Sequence, residues 1–396
     1  MKKRFNSIPT VLIIAVLLSL YNCKKSVNDT KTYFVNYSEL DSKREKIENG
    51  DEKETLSFEN LIIRADSLVH GSLFSVVNKK GIPPSGDKHD YMSIGPYWWP
   101  NPEIPDGRPY IRRDGEINPE TRNNYTDYVE GYDFFRAIND LTNAYYLGSN
   151  KVYAKRAIEL INAWFLNEKT KMNPNLNYAQ SIPGKNDGRC FGIIEFGGIG
   201  NVLKCLELLE HKNILDKETK IGMKQWLTDY AFWLQNSKLG IEESTRENNH
   251  GTHYDIQLLN ILLYLNKKNE VKEYLSTVTK ARIFQQIEPD GSQPRELART
   301  KSFSYTVMNL HGFMELVRLG KKVEVDLWSF ESEDGRSIKK AFQYMLPYLA
   351  KEKEWEYKQI VGITHSEEKL FSDIRYIHKT FNERSFEDVL KINSAK

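Results

Sequence analysis

Phe303-Ser-Tyr-Thr-Val-Met-Asn-Leu-His-Gly-Phe-Met-Glu-Leu-Val317 decides the fold class. Phe303, Val307, Leu310, Met314 and Val317 recur at alternating spacings of four and three, the repeat of a buried helix face. Tyr305 lies roughly 200° from Phe303 around that helix, on the side of Asn309 and Gly312. A tyrosine on the small, polar side of a helix suits the wall of a cavity better than a core.

The same period recurs outward from this stretch. Leu61, Ala65, Leu68 and Leu73 form one stripe, and Tyr128, Tyr132, Phe135 and Tyr145 another. After the Gly148-Ser-Asn turn come Ala157, Leu160 and Trp164, then Trp226, Tyr230 and Leu234. Ile256, Leu259 and Leu263 follow, and later Ile338, Phe342, Met345 and Leu349. Strand-like alternation is scarce, so the class is all-α, built from helical hairpins. No fixed-period sequence motif accompanies them. An α/α toroid, an incomplete barrel of hairpins, is the natural single-domain arrangement over residues 56–396. An open α-solenoid is the rival that periodicity alone does not exclude.

The first residues predict export. Lys2, Lys3 and Arg4 precede the apolar run Val11-Leu-Ile-Ile-Ala-Val-Leu-Leu18 and then Ser19-Leu-Tyr-Asn-Cys23. That run is too short for a comfortable membrane span. Residues 1–22 read as a lipoprotein signal peptide with Cys23 as the lipidated residue, and 23–55 as a polar tether. The alternative is ordinary cleavage nearby. Either way the expected location is the periplasm or outer membrane of a Gram-negative bacterium, with membrane attachment only through the lipid. Cys190 and Cys205 remain, and nothing in their context requires a disulfide.

The 56 basic and 54 acidic residues give a net charge of +2, and loss of the three basic residues of the leader takes it to about −1. Such a chain has no global field for nucleic acid and is expected to be a monomer. A polyanion would have to meet a local basic groove.

Two long stretches interrupt the helical pattern, and loops of that length inside a compact domain usually carry function. Gly81 to Tyr125 contains Ser93-Ile-Gly-Pro-Tyr-Trp-Trp-Pro100, whose Trp98 and Trp99 either pack the loop down or stack on sugar rings. Asn173 to Glu195 contains Gln180 and Arg189. Arg189 is placed to pair with a carboxylate, either a substrate's or that of Asp187.

The polar segments Glu247-Asn-Asn-His-Gly-Thr-His253 and Arg295-Glu-Leu-Ala-Arg299, running on to Tyr305, bring an amide, an imidazole, a guanidinium and a phenol. That set meets the needs of β-elimination at a uronic acid. Asn249 and Arg299 would neutralise the sugar carboxylate and acidify the C5 proton. His250 or Tyr305 would remove that proton, and Tyr305 would protonate the departing O4. Asn248, His253 and Arg295 are further candidates for binding substrate. No metal, nucleotide or other cofactor is required. Glu247, His250 and His253 are spaced as metal ligands on a helix, but the usual zinc spacing is missing. Asn248 or Asn249 also suits the N-cap of the helix that follows. A glycoside hydrolase would need two flanking acids, for which Glu195, Glu247 and Asp255 are available. A non-catalytic glycan-binding lipoprotein would keep the aromatic loop and the basic groove without needing His250 or Tyr305.

Gly95-Pro-Tyr-Trp-Trp-Pro100, Gly188-Arg189, Asn248-Asn-His250 and Glu296-Leu-Ala-Arg299 with Tyr305 resemble the alginate lyase superfamily of polysaccharide lyases. Within it they resemble the Bacteroidetes branch, polysaccharide lyase family thirty-eight, from about residue 60 to 320. The resemblance implies an α/α toroid that cleaves a 1,4-linked polyuronate, alginate or glucuronan, leaving unsaturated uronate ends. It implies Asn249 and Arg299 as neutralisers, His250 as base or neutraliser, and Tyr305 as acid. One departure is that Tyr305 follows Arg299 by six residues rather than seven, with Thr306 where a histidine is usual. Arg295 is therefore the alternative carrier of the Arg299 role.

Overall fold

In the computed structural model, which describes residues 32–394, 61% of the chain is helical and no sheet closes. The first helices are α1 (Tyr37–Glu48), α2 (Glu52–Val69), α3 (Tyr128–Gly148) and α4 (Lys151–Ile161). Next come α5 (Ile199–His211), α6 (Lys217–Asn236), α7 (Lys238–Ser244), α8 (Asn249–Tyr264) and α9 (Lys268–Tyr274). The last are α10 (Lys280–Gln286), α11 (Pro294–Leu297), α12 (Ser302–Val323), α13 (Ile338–Leu349), α14 (Thr364–Phe381) and α15 (Glu387–Ser394).

Helices α3, α5, α8, α12 and α14 each pack on the next and form an inner arc of an α/α toroid. Burial separates inner helices from outer ones. In α8, eleven of sixteen residues are buried, so it must be covered nearly all round. In α13 burial follows a single stripe, Ile338, Ala341, Phe342, Met345 and Leu349, as an outer helix requires. Gly312 lets α12 approach α8 closely, because a Cβ there would lie 2.9 Å from the Thr252 methyl.

Compact structure begins earlier than the predicted tether allows. Tyr33, Phe34 and Val35 donate their backbone N–H groups to the Glu207 carboxylate, and α1 lies within the segment 23–55 expected as a polar tether. A single half-buried acid satisfying three successive amides holds that segment down, a partner that local polarity cannot reveal. Cys23 and the leader lie outside the described residues. Cys190 and Cys205 are both free and buried.

The two irregular stretches meet. Strand β1 (Met92–Ile94) pairs in parallel with β4 (Tyr178–Ser181), while β2 (Trp98–Trp99) pairs antiparallel with β3 (Ile111–Arg112). A buried ion pair fastens this layer to α3. Lys79 lies 3.0 Å from Asp127 and donates to the carbonyls of Val76, Lys88 and Asp90, while Asp127 accepts from the Met92 N–H. A buried ion pair of this kind sets the register of the loop more than it adds stability, and here Oδ1 of Asp127 has no hydrogen-bond partner.

Candidate active site

The loop layer and the ends of α3, α8 and α12 enclose a cleft of about 1060 Å³. Ligand pockets for one small molecule span about 300–1,000 Å³, so this one has room for several sugar residues. Its walls include Arg112, Arg189, Arg295, Arg299 and Lys301, and Glu195 is the single carboxylate among the lining residues. This is the local basic groove that a near-neutral chain needs for a polyanion.

His250 enters from the first turn of α8. Asn248 caps that helix, its side chain accepting from the His250 N–H. The imidazole Nδ1 lies 2.6 Å from Oε1 of the fully buried Glu243 on α7. A carboxylate there accepts a hydrogen bond from Nδ1–H, which fixes the tautomer that leaves Nε2 as the free acceptor. Phe191 packs edge-on against the ring at 4.7 Å.

Asn249 is buried behind His250, and both its backbone N–H and its Nδ2 donate to the Glu296 carboxylate, at 2.6 to 2.9 Å. Burial raises the Glu296 pKa, and these hydrogen bonds oppose the rise.

Tyr305 stands on the first turns of α12, facing the cleft as its position on the helical wheel predicts. Its hydroxyl lies 2.6 Å from that of Tyr97, and the Arg299 guanidinium sits over its ring at 3.8 Å. Burial raises the phenol's pKa, the Tyr97 hydroxyl adds to that, and Arg299 opposes both. Arg299 in turn forms a two-point pair with Asp114, at 2.9 and 3.2 Å. Although burial pushes the Asp114 carboxyl up, Arg299 and Thr300 hold it well below the usual range. Arg299 therefore reaches the cleft with its charge partly offset, while Arg295 at the rim pairs with Glu247.

Arg189 is different. Its Nε and Nη2 donate to the backbone carbonyl and side-chain oxygen of Gln180, and it forms no ion pair among the described residues. Gln180 takes the left-handed conformation (φ 48°), an uncommon backbone state for a non-glycine residue that clusters at functional sites. Gly95 makes room for the guanidinium, since a Cβ there would fall 2.6 Å from Arg189 Nη2. Burial lowers the Arg189 pKa to about 10, so the side chain remains a cation at neutral pH. The expected alternative, a bridge to Asp187, is not formed.

Two expectations for substrate contact need correction. Trp98 lines the cleft, but Trp99 does not: its indole donates to the Glu116 carbonyl and lies under the Arg113 guanidinium. Successive strand residues face opposite ways, so only one of the pair can look into the cleft. His253 is also absent from the lining, and its buried Nε2 has no hydrogen-bond partner. It falls three residues beyond His250, one turn further from the helix start that meets the cleft. His250 and His253 are thus not joined by Glu247 into a ligand set, and no such group occurs among the described residues.

Burial lowers the His253 imidazole from 6.5 to about 3, and the nearby His250 adds to this. Between those values the unfolded chain binds a proton that the folded chain refuses. Stability should therefore fall as pH drops from 6.5, with this group contributing a slope of up to about 1.4 kcal/mol per pH unit. Denaturant midpoints measured against pH should show a flatter acid limb in His253→Gln.

Residue types alone did not single out Tyr97, Glu243, Glu296 or Asp114, each of which holds one of the expected residues in place. Tyr97 lay within the aromatic run, and Glu296 between the two arginines, so those two were within reach.

Residues 75–355, more than two thirds of the chain, match the family model described as alginate lyase. An alginate lyase from Bacteroides ovatus is 36% identical, over 91% of this chain and 94% of that one, with a TM-score of 0.85. Alginate lyase A1-III from Sphingomonas species A1 shares the fold at 18% identity, over 82% of this chain and 87% of that one, with a TM-score of 0.50. None of the curated proteins matches. With a family match over most of its length and a solved relative at that identity, the chain belongs to the alginate lyase family.

Proposed function

We propose that the protein cleaves a 1,4-linked polyuronate, alginate or glucuronan, by β-elimination, with Tyr305 and His250 moving the protons. One observation carries this reading. A carboxylate-backed imidazole and a cation-backed phenol open on the same cleft, whose walls are basic. Arg189, which forms no ion pair among the described residues, is the residue we assign to the sugar carboxylate, with Asn249 lining the same cleft. Their charge and hydrogen bonds stabilise the enolate-like state that forms when C5 loses its proton. Arg299 is assigned to Tyr305, whose phenolate it favours. Trp98 offers an apolar face to a sugar ring.

A hydrolase reading lacks its acid pair. Asp255 is buried in a bidentate pair with Arg282, Glu247 is engaged by Arg295, and Glu195 alone lines the cleft. Incubation with alginate, glucuronan and other polyuronates should generate ultraviolet absorbance from unsaturated ends. Reducing sugar without absorbance would mean hydrolysis, and binding without either would mean a lectin-like protein.

We also propose that the chain is exported and acylated at Cys23, on the strength of the basic, apolar and cysteine sequence at its start. Cys23→Ser should then shift the protein from the membrane to the soluble fraction. Identical fractionation of mutant and parent would count against the anchor.

A further inference from the structure

We infer that the start of α3 forms a second uronate-binding subsite, away from the reacting groups, which grips the polyanionic chain beyond the scissile bond. This rests on the lyase reading above. Tyr128, Tyr132 and Arg136 are spaced four apart, so they form one row on the helix, about 12 Å long at 1.5 Å per residue. The tyrosine rings are stacked, with centroids 6.4 Å apart and planes 10° from parallel. Arg122 lies over the Tyr128 ring, 3.4 Å from its centroid, and Arg136 lies 5.7 Å from that of Tyr132.

The later members of the row, Tyr132 and Arg136, do not pack the protein. Periodicity assigned Tyr132 to the core, yet it is 55% exposed, because Phe134, Phe135, Ile138 and Leu141 supply the buried face of α3. It does line the cleft, with Arg122 and Arg136. The 3₁₀ segment Cys190–Phe196 packs against both α3 and α8, so it forms floor between this row and His250. Tyr128 is the end of the row within electrostatic reach of Tyr97, and Tyr132 and Arg136 lie about one and two turns further along α3, away from Tyr305.

The chemistry suits an anionic sugar chain. Aromatic faces take the C–H faces of sugar rings, and guanidinium groups take carboxylates. Arg122 forms no ion pair among the described residues, and the nearest acid to Arg136 is Asp133 at 3.8 Å on an exposed surface. Glu195, the carboxylate beneath, has its pKa raised by burial, which lessens its repulsion of a polyanion. The plain alternative is that the row only supports its own helix through spacing-four contacts.

Affinity for oligouronates of increasing length, measured by calorimetry in a Tyr305→Phe background so that ligand is not consumed, separates the two. Adding Tyr132→Ala and Arg136→Ala should lower the ratio of long-chain to short-chain affinity roughly tenfold, the effect of one lost stacked ring and one lost charge contact. The single Arg136→Lys change should restore part of it. A ratio that stays constant, whether or not overall affinity falls, would overturn the subsite. The same ratio in kcat/KM of the active enzyme should follow. An active enzyme with unchanged length dependence defeats only the subsite, whereas a parent that produces no unsaturated ends defeats the lyase reading.

Discussion

Tyr305→Phe is expected to lower kcat by roughly 10²–10⁴-fold, the usual worth of a positioned proton donor, while substrate affinity and folding stay nearly as in the parent. The change removes one hydroxyl and preserves the ring under Arg299. It leaves Tyr97 without the partner 2.6 Å away, but Tyr97 itself lines the open cleft and water can replace that contact. Burial raises the phenol's pKa, which favours the protonated form that donates to the departing O4, while the Arg299 guanidinium over the ring favours the phenolate needed wherever Tyr305 first removes H5. The role applies to every substrate, so the loss should be similar for all uronates. Initial rates from ultraviolet absorbance, with binding measured separately, test it. Weaker binding at undiminished kcat would reduce Tyr305 to a positioning contact.

The second large effect depends on the sugar. In mannuronate, H5 and O4 lie on one side of the ring, so Tyr305 alone can serve both proton transfers. In guluronate they lie on opposite sides, and a base must stand across the sugar. We assign that base to His250, so His250→Ala should cost guluronate blocks about 10²-fold or more and mannuronate blocks markedly less. Glu243 sharpens the test. Glu243→Gln keeps the shape, but an amide also tolerates the tautomer that places the proton on Nε2, which disables the base. It should reproduce the guluronate-selective loss in milder form, although Glu243 is fully buried and touches no substrate. Equal losses on both blocks in His250→Ala would show that the imidazole only holds its neighbours. The measurement is kcat/KM on homopolymeric blocks of each uronate.

Tyr132 shows how a correct periodicity can lead to a wrong environment. The stripe of Tyr128, Tyr132, Phe135 and Tyr145 was read as buried, and its later members are, but the helix begins at the mouth of the cleft. A helical repeat says which residues share a face. It does not say whether that face meets another helix or an opening.

The amino-acid sequence by itself determined the all-helical class, a helix start capped at Asn248 or Asn249, the side of α12 on which Tyr305 stands, and the polar residue types of the cleft. These follow from local geometry, since helical period and capping act over a few residues. Only the tertiary structure decided the supporting contacts: Glu296 beneath Asn249, Asp114 against Arg299, and Tyr97 on Tyr305, the partners standing 47, 185 and 208 residues apart. It also decided the parallel pairing of β1 with β4 that brings Arg189 beside Trp98, and the turning away of Trp99 and His253. A buried polar group needs a partner somewhere in the chain, but no local pattern says where along the chain that partner stands.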